Sequence, residues 1–188
     1  MSTTTQTLPA TGTRTIDASH SEVGFSVRHL GISKTRGRFG AFTGTLSVDA
    51  ENPGNSSVEV SIDAASIDTK DGGRDEHLRG TDFFDVEQFP TVTFRSTNVR
   101  GEGSDWTIEG DLTIRGVTQQ VELETELVGL QRDPWGGERV GFAATTEVNR
   151  EAFGLTWNAA LETGGVLVGK NVKIHIDVEA VKATEEAA

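Results

Sequence analysis

The sequence predicts an all-β domain: an elongated, antiparallel, up-and-down β-barrel of about eight strands, with a short helix covering one end. Three observations predict it. Period-2 alternation runs through most of the chain, and each alternating segment has one dry and one wet face, as in antiparallel rather than buried parallel sheet. Turn residues punctuate neighbouring segments at hairpin spacing: Asn52-Pro53-Gly54-Asn55, Gly101-Glu102-Gly103-Ser104, Arg115-Gly116 and Asp133-Pro134-Trp135-Gly136-Gly137. Composition agrees, with 22 glycines against 4 prolines, no Tyr and 35% hydrophobic residues. A flat sheet of this size would leave its edges open and one apolar face wet, so the sheet must close. Segments of about 10–13 residues exceed the common strand length of about 5–6 and favour an elongated barrel. An eight-stranded barrel has room inside for its own side chains or for one small ligand.

A short strand over Thr13–Asp17 opens the domain. In Glu22–Leu30, Val23, Phe25, Val27 and His29 share the dry face. In Arg38–Asp49 the dry positions are Phe42, Leu46 and Val48; in Ser57–Ala65 they are Val58, Val60, Ile62 and Ala64. Thr91–Val99 offers Val92 and Phe94, and Asp105–Arg115 offers Trp106, Ile108, Leu112 and Ile114. Val117–Leu130 offers Val121, Leu123 and Leu127; Arg139–Asn149 offers Val140, Phe142, Ala144 and Val148; Gly169–Val181 offers Val172, Ile174, Ile176 and Val178.

One segment breaks the alternation. Asp71–Arg79 is polar and rich in helix formers, with Asp71 or Gly72 placed to cap a short helix. Neighbours Arg74, Asp75, Glu76 and His77 point different ways on a helix, so they read as a salt-bridged surface rather than a convergent acid–base cluster. Phe83-Phe84 follow as a candidate cover for the barrel end. Ala152–Val168 is irregular and carries Phe153, Leu155, Trp157 and Leu161. With 188 residues the chain is one domain's worth: a barrel over 13–182, a Thr-rich flexible arm over 1–12 and a frayed end over 183–188.

A net charge of −12 repels phosphate backbones and anionic lipid headgroups, which argues against a nucleic-acid partner. The absence of cysteine excludes thiol nucleophiles, disulfides and Cys metal sites. No run approaches the roughly 18 apolar residues of a membrane helix. The N-terminus has neither a basic start nor an apolar stretch, so the expected location is the cytoplasm.

Residues in order along the chain resemble the YceI-like family of polyisoprenoid-binding, lipocalin-like proteins. The resemblance is carried by Ile16 through His29, Gly37-Arg38-Phe39, Ala65 through Thr69, Arg74 through Asp85, Phe89 through Ser96, Gly110 through Thr118 and Asn149 through Leu155. It implies a barrel whose tunnel holds an isoprenoid-type chain, such as a quinone or polyprenyl tail. It implies no catalytic residue.

The expected occupant is therefore an apolar isoprenoid or lipid-like molecule, with no catalytic residue, no metal and no other cofactor. The expected lining is Phe25, Val27, Phe42, Val60, Ile62, Phe94, Ile108, Leu112, Leu123, Phe142, Val172 and Ile174, with Phe83 and Phe84 at the lid. His29 joins them by parity, either as a buried, hydrogen-bonded structural residue or as a contact to a ligand headgroup. His20, His77 and His175 read as turn, helix-surface and outward-strand residues; no two histidines show metal-ligand spacing. Two rival readings stand beside this one. The first is an enzyme acting on a bound apolar substrate, with His29 or a lid residue as base. The second is a ligand-free barrel filled by its own side chains. A homodimer is compatible with all three.

Overall fold

Alternation becomes strand almost wherever the sequence shows it. A computed structural model describes residues 7–182 of the protein. The elements are β1 (Gly12–Ile16), β2 (Glu22–His29), β3 (Ser33–Phe39), β4 (Phe42–Val48), β5 (Ser57–Asp63), β6 (Ile67–Asp68), α1 (Gly72–Arg79), β7 (Thr91–Glu102), β8 (Asp105–Ile114), β9 (Val117–Arg132), β10 (Glu138–Asn149) and β11 (Val168–Lys182). Every pairing is antiparallel.

Three of the barrel's walls are broken strands. β1 and β2 both pair with β11, β3 pairs with β2, β4 pairs with β1, and β5 and β6 lie against β4 and β3. Counting each broken strand once, eight strands follow one another in chain order and close where β11 meets β1. The expected meander is the observed one. The breaks are short 3-10 turns or a two-residue step. Asp17 caps the turn Ala18–His20 by accepting from Ser19 N at 3.0 Å, and Asp63 caps Ala64–Ser66 by accepting from Ala65 N at 3.0 Å. These breaks correct three expected boundaries. The segment expected over Arg38–Asp49 is split at Gly40-Ala41, the β5 strand ends at Asp63, and the strand over Ser33–Phe39 starts earlier than alternation suggested.

One end of the barrel is plugged by a second apolar cluster of Trp106, Leu127, Val140 and Ala180, against which Leu8 packs. Pro9 is among the fully buried residues. The arm expected over 1–12 is described only from residue 7, where Leu8 packs on this cluster; residues 1–6 and the frayed end expected over 183–188 lie outside the described residues. Arg14 is buried at this floor, donating to Gly12 O at 3.4 Å and pairing with Glu138.

The opposite end is covered by α1, the segment 80–90 and the stretch 150–167. The expected helix forms with Asp71 as its cap, accepting from Arg74 N at 2.9 Å. One of the expected salt bridges along the helix forms, Arg79 Nη1 to Glu76 Oε2 at 3.8 Å, but the helix is anchored by other bonds. Asp75 is buried and accepts from Thr69 N at 2.9 Å and Thr69 Oγ1 at 2.5 Å. Arg74 donates to Thr69 O at 2.8 Å, and Arg79 donates to Ala65 O at 2.8 Å and Ile67 O at 3.1 Å. The helix is too polar to be held by burial, so its charged side chains hold it by bonding the main chain around β6.

Candidate ligand-binding site

Between the two closed ends lies a cavity of about 260 Å³. That is on the order of twenty times the ~10–15 Å³ that one water needs. Each wall strand turns its dry face inward. Val58, Val60 and Ile62 come from β5, Ile108 and Leu112 from β8, and Val172, Ile174, Ile176 and Val178 from β11. Thr125, Thr146 and Arg150 supply the polar side chains of the lining.

Fourteen of the expected site residues line this one cavity: Phe25, Val27, Phe42, Val60, Ile62, Phe83, Phe84, Phe94, Ile108, Leu112, Leu123, Phe142, Val172 and Ile174. His29 does not: parity keeps it on their face, opposite Val168, but it is the last residue of β2. The ladder between β11 and β2 slips by two residues between Val168 and Val172, and on β2 the lining ends at Val27. His29 lies half-buried beyond it, opposite Val168 and Ser33, and among the described residues its ring makes no hydrogen bond. Sequence reasoning missed Phe39, Phe153, Leu155, Leu78 and Arg150, all of which line the cavity. Phe39 was hidden by the change of face between β3 and β4. Phe153 and Leu155 stood out as apolar residues in an irregular stretch, but nothing in their spacing aims them inward.

Aromatic rings close the lid end. Phe25 and Phe39 lie 5.8 Å apart, and Phe84 meets Phe39 edge-on at 5.8 Å. His77 is more than a surface residue. It stands edge-on to Trp157 at 4.7 Å and to Phe83 at 5.1 Å, while Nε2 lies 2.8 Å from Asp82 Oδ2. It thereby ties α1 to the 150–167 stretch.

Arg150 holds that stretch from within. Nε donates to Gly169 O at 2.8 Å, and Nη1 donates to Leu155 O at 2.7 Å and Trp157 O at 2.9 Å. Nη2 reaches Val168 O at 3.4 Å. Burial pushes its pKa below the ordinary guanidinium value, with nearby Glu151 opposing the shift. The guanidinium is occupied by four carbonyls of the chain itself, so it is a structural clasp and not a free cation awaiting an anion.

Among the described residues, one group of three potential metal ligands forms outside the cavity: Asp17, His20 and Glu179. Arg139 already occupies it, donating Nη1 to Asp17 Oδ2 at 3.0 Å and also to Glu179, with Nε on Asp133 Oδ2 at 2.9 Å. Bonds from Ser19, His20 and Arg139 hold Asp17 well below the usual carboxylate range. The same three carboxylates raise Arg139, Asp133 foremost. The group has the chemistry of a surface ion network.

A closed antiparallel barrel around an apolar cavity places the protein among the lipocalin-like barrels. A family model, the YceI-like domain, matches residues 15–180. Protein YceI of Escherichia coli is 42% identical over 166 residues, which is 88% of this chain and 84% of that protein. The chain therefore belongs to the YceI-like family. Among solved structures, BcnA of Burkholderia cenocepacia superposes with a TM-score of 0.75 at 24% identity, over 90% of this chain and 99% of that one. A polyisoprenoid-binding domain from Saccharophagus degradans superposes with a TM-score of 0.63 at 15% identity, over 92% and 99%. Among the described residues, no helix is long and apolar enough to cross a membrane.

Proposed function

We propose that this protein is a non-catalytic binder of a long apolar molecule, of the isoprenoid or lipid-like class, held inside the barrel. The observation that carries the reading is the cavity itself: about 260 Å³ walled almost entirely by aliphatic and aromatic side chains. Burial gains about 0.8 kcal/mol per CH₂, so a chain of roughly ten carbons gains about 8 kcal/mol before the costs of association. No converging polar group is needed for that. A charge placed among these walls would stay unpaired at a cost of several kcal/mol, so a charged headgroup belongs at the barrel's end. The family and the polyisoprenoid-binding neighbour support the same class of ligand.

The cavity volume weighs against a barrel filled by its own side chains. The enzyme reading lacks support, because the His77–Asp82 pair does not line the cavity and His29 lies beyond the wall. The test is extraction of the purified protein with organic solvent, followed by mass spectrometry. One dominant lipid-like species in near-stoichiometric amount is expected. An extract indistinguishable from that of an unrelated soluble protein counts against the reading.

A further inference from the structure

The chain's acidity is not evenly spread. Residues 22–39 and 168–177 carry six exposed bases, Arg28, Lys34, Arg36, Arg38, Lys170 and Lys173, against two exposed acids, Glu22 and Asp177, which face each other at one end of the β2–β11 ladder. The whole chain has 17 bases against 29 acids. Strand register gathers these bases on one outer face: Arg28 lies opposite Lys34, and Ser26 sits between Arg36 and Lys173. Arg38 reaches Asp68 at 3.7 Å, Lys170 reaches Glu151 at 3.4 Å, and Glu147 faces Lys173 across the β10–β11 ladder. Among the described residues, Arg28, Lys34 and Arg36 have no ion-pair partner within 4 Å. Diametrically across the ring, four strands from β3, β9 presents exposed Glu122, Glu124 and Glu126.

An apolar tip adjoins the basic face. Ile32 is 81% exposed, Leu30 38% and Val166 45%. Leu30 and Ile32 form the β2–β3 turn, and Leu30 N donates to Leu167 O at 2.9 Å, so the turn carrying Val166 stands beside it. The cavity wall reaches Val27 and Val168, within a few residues of this tip. Exposed aliphatics rimmed by unpaired bases match a surface of negative headgroups over hydrocarbon. With this face down, the β9 acids point away from the surface, separated from it by more than the ~8 Å over which charge is felt in physiological salt.

We propose that the protein docks on anionic lipid bilayers through the β2–β3 face, with the Leu30–Ile32 tip inserted among the headgroups. Charge and exposure drive the docking. It uses the proposed cavity ligand only for its purpose, which is to bring the lid end of the barrel to the source or destination of an apolar chain.

Flotation with phosphatidylcholine vesicles and with phosphatidylcholine–phosphatidylglycerol vesicles tests it. Wild type is expected to float with the mixed vesicles, to stay behind with the neutral ones, and to lose binding as salt rises. Lys34→Glu with Arg36→Glu should cut partition about tenfold or more. Ile32→Ser should cut it several-fold and leave the salt dependence in place. Arg100→Glu with Arg132→Glu makes the same change in net charge elsewhere on the barrel and should stay within about twofold of wild type. Circular dichroism confirms folding of each, and all five positions are exposed. Three results overturn the proposal: no flotation by folded wild type, equal losses from the two double variants, or tighter binding to a DNA oligonucleotide with no effect of Ile32→Ser. Neutral and mixed vesicles offer the cavity the same acyl chains, so flotation that depends on anionic lipid reads docking, and its failure is distinct from a failure to extract a ligand.

Discussion

Phe25 and Phe94 lie flat against the barrel wall because glycines face them. Gly37 sits directly opposite Phe25, and a Cβ there would come 2.4 Å from the ring. Its other close neighbour is Thr69 Cγ2, at 2.9 Å, so every obstacle is the end of a side chain. Gly110 differs: a Cβ would meet the Phe94 ring at 2.5 Å and the carbonyl oxygen of Arg95 at 2.6 Å. Main chain in a barrel wall cannot step aside. Gly37→Ala should therefore fold, with Phe25 pushed into the cavity, a stability loss below about 1.5 kcal/mol and reduced uptake of an apolar probe. Gly110→Ala should cost about 1–3 kcal/mol. Urea midpoints check the contrast, and equal midpoints would show that the wall yields as readily as a side chain. Asp17 gives a pH prediction at the same scale. Its pKa is depressed in the folded state, so its bonds stabilise the protein above the unfolded value of about 4 and are lost as pH falls below it. Asp17→Asn should lower the melting temperature at pH 7 and flatten its fall below about pH 4. A melting curve with the wild-type acid slope would remove Asp17 from the account.

At the scale of elements, the strands were legible and their breaks were not. Alternation marks a dry face, but parity flips at each broken strand: Ile16 and Val23 both face inward, as do Phe39 and Phe42, and Ile62 and Ile67. Each pair is separated by an odd number of positions, which a continuous strand would place on opposite faces. The caps Asp17 and Asp63 are the local signals of two breaks, and they look like ordinary polar residues until the turn is known. The helix was legible because Asp71 precedes a run of helix formers. Its attachment was not, since Asp75, Arg74 and Arg79 bind main chain that lies beside α1 only once β3 and β6 have paired. That attachment predicts how the lid loosens. Asp75→Asn keeps the size but weakens two charge-assisted bonds, each worth about 1.5–3 kcal/mol. Hydrogen exchange over 71–85 should accelerate at least tenfold while the amides of β8 and β9 keep their protection. Exchange that quickens equally everywhere would mean that α1 is part of the barrel's cooperative core and not a separable cover.

For the whole molecule, the cavity follows from numbers that no single segment shows. Which residues are apolar and inward was legible for fourteen of the fifteen expected site positions, because lining a barrel requires only the correct parity. How much space they leave was not, because it depends on closure, on the glycines beneath Phe25 and Phe94, and on a lid assembled from two stretches far apart in the chain, 72–90 and 150–167. Ala144 tests whether that space matters. It is buried on β10 between Ile176 and Thr125 of the neighbouring strands, and it lines the cavity. In a filled core, Ala→Phe forces strain of about 1–3 kcal/mol. Here the ring has room, and it adds dispersion contacts where the walls now face empty volume. Delipidated Ala144→Phe should therefore melt at or above the temperature of the delipidated wild type. A bound apolar chain raises stability by RT ln(1 + [L]/Kd), so ligand titration should raise the wild-type melting temperature and raise that of the variant much less. A variant that melts lower without ligand, and gains as much as wild type with it, would show that the interior is packed tightly at Ala144 and that apolar chains bind elsewhere.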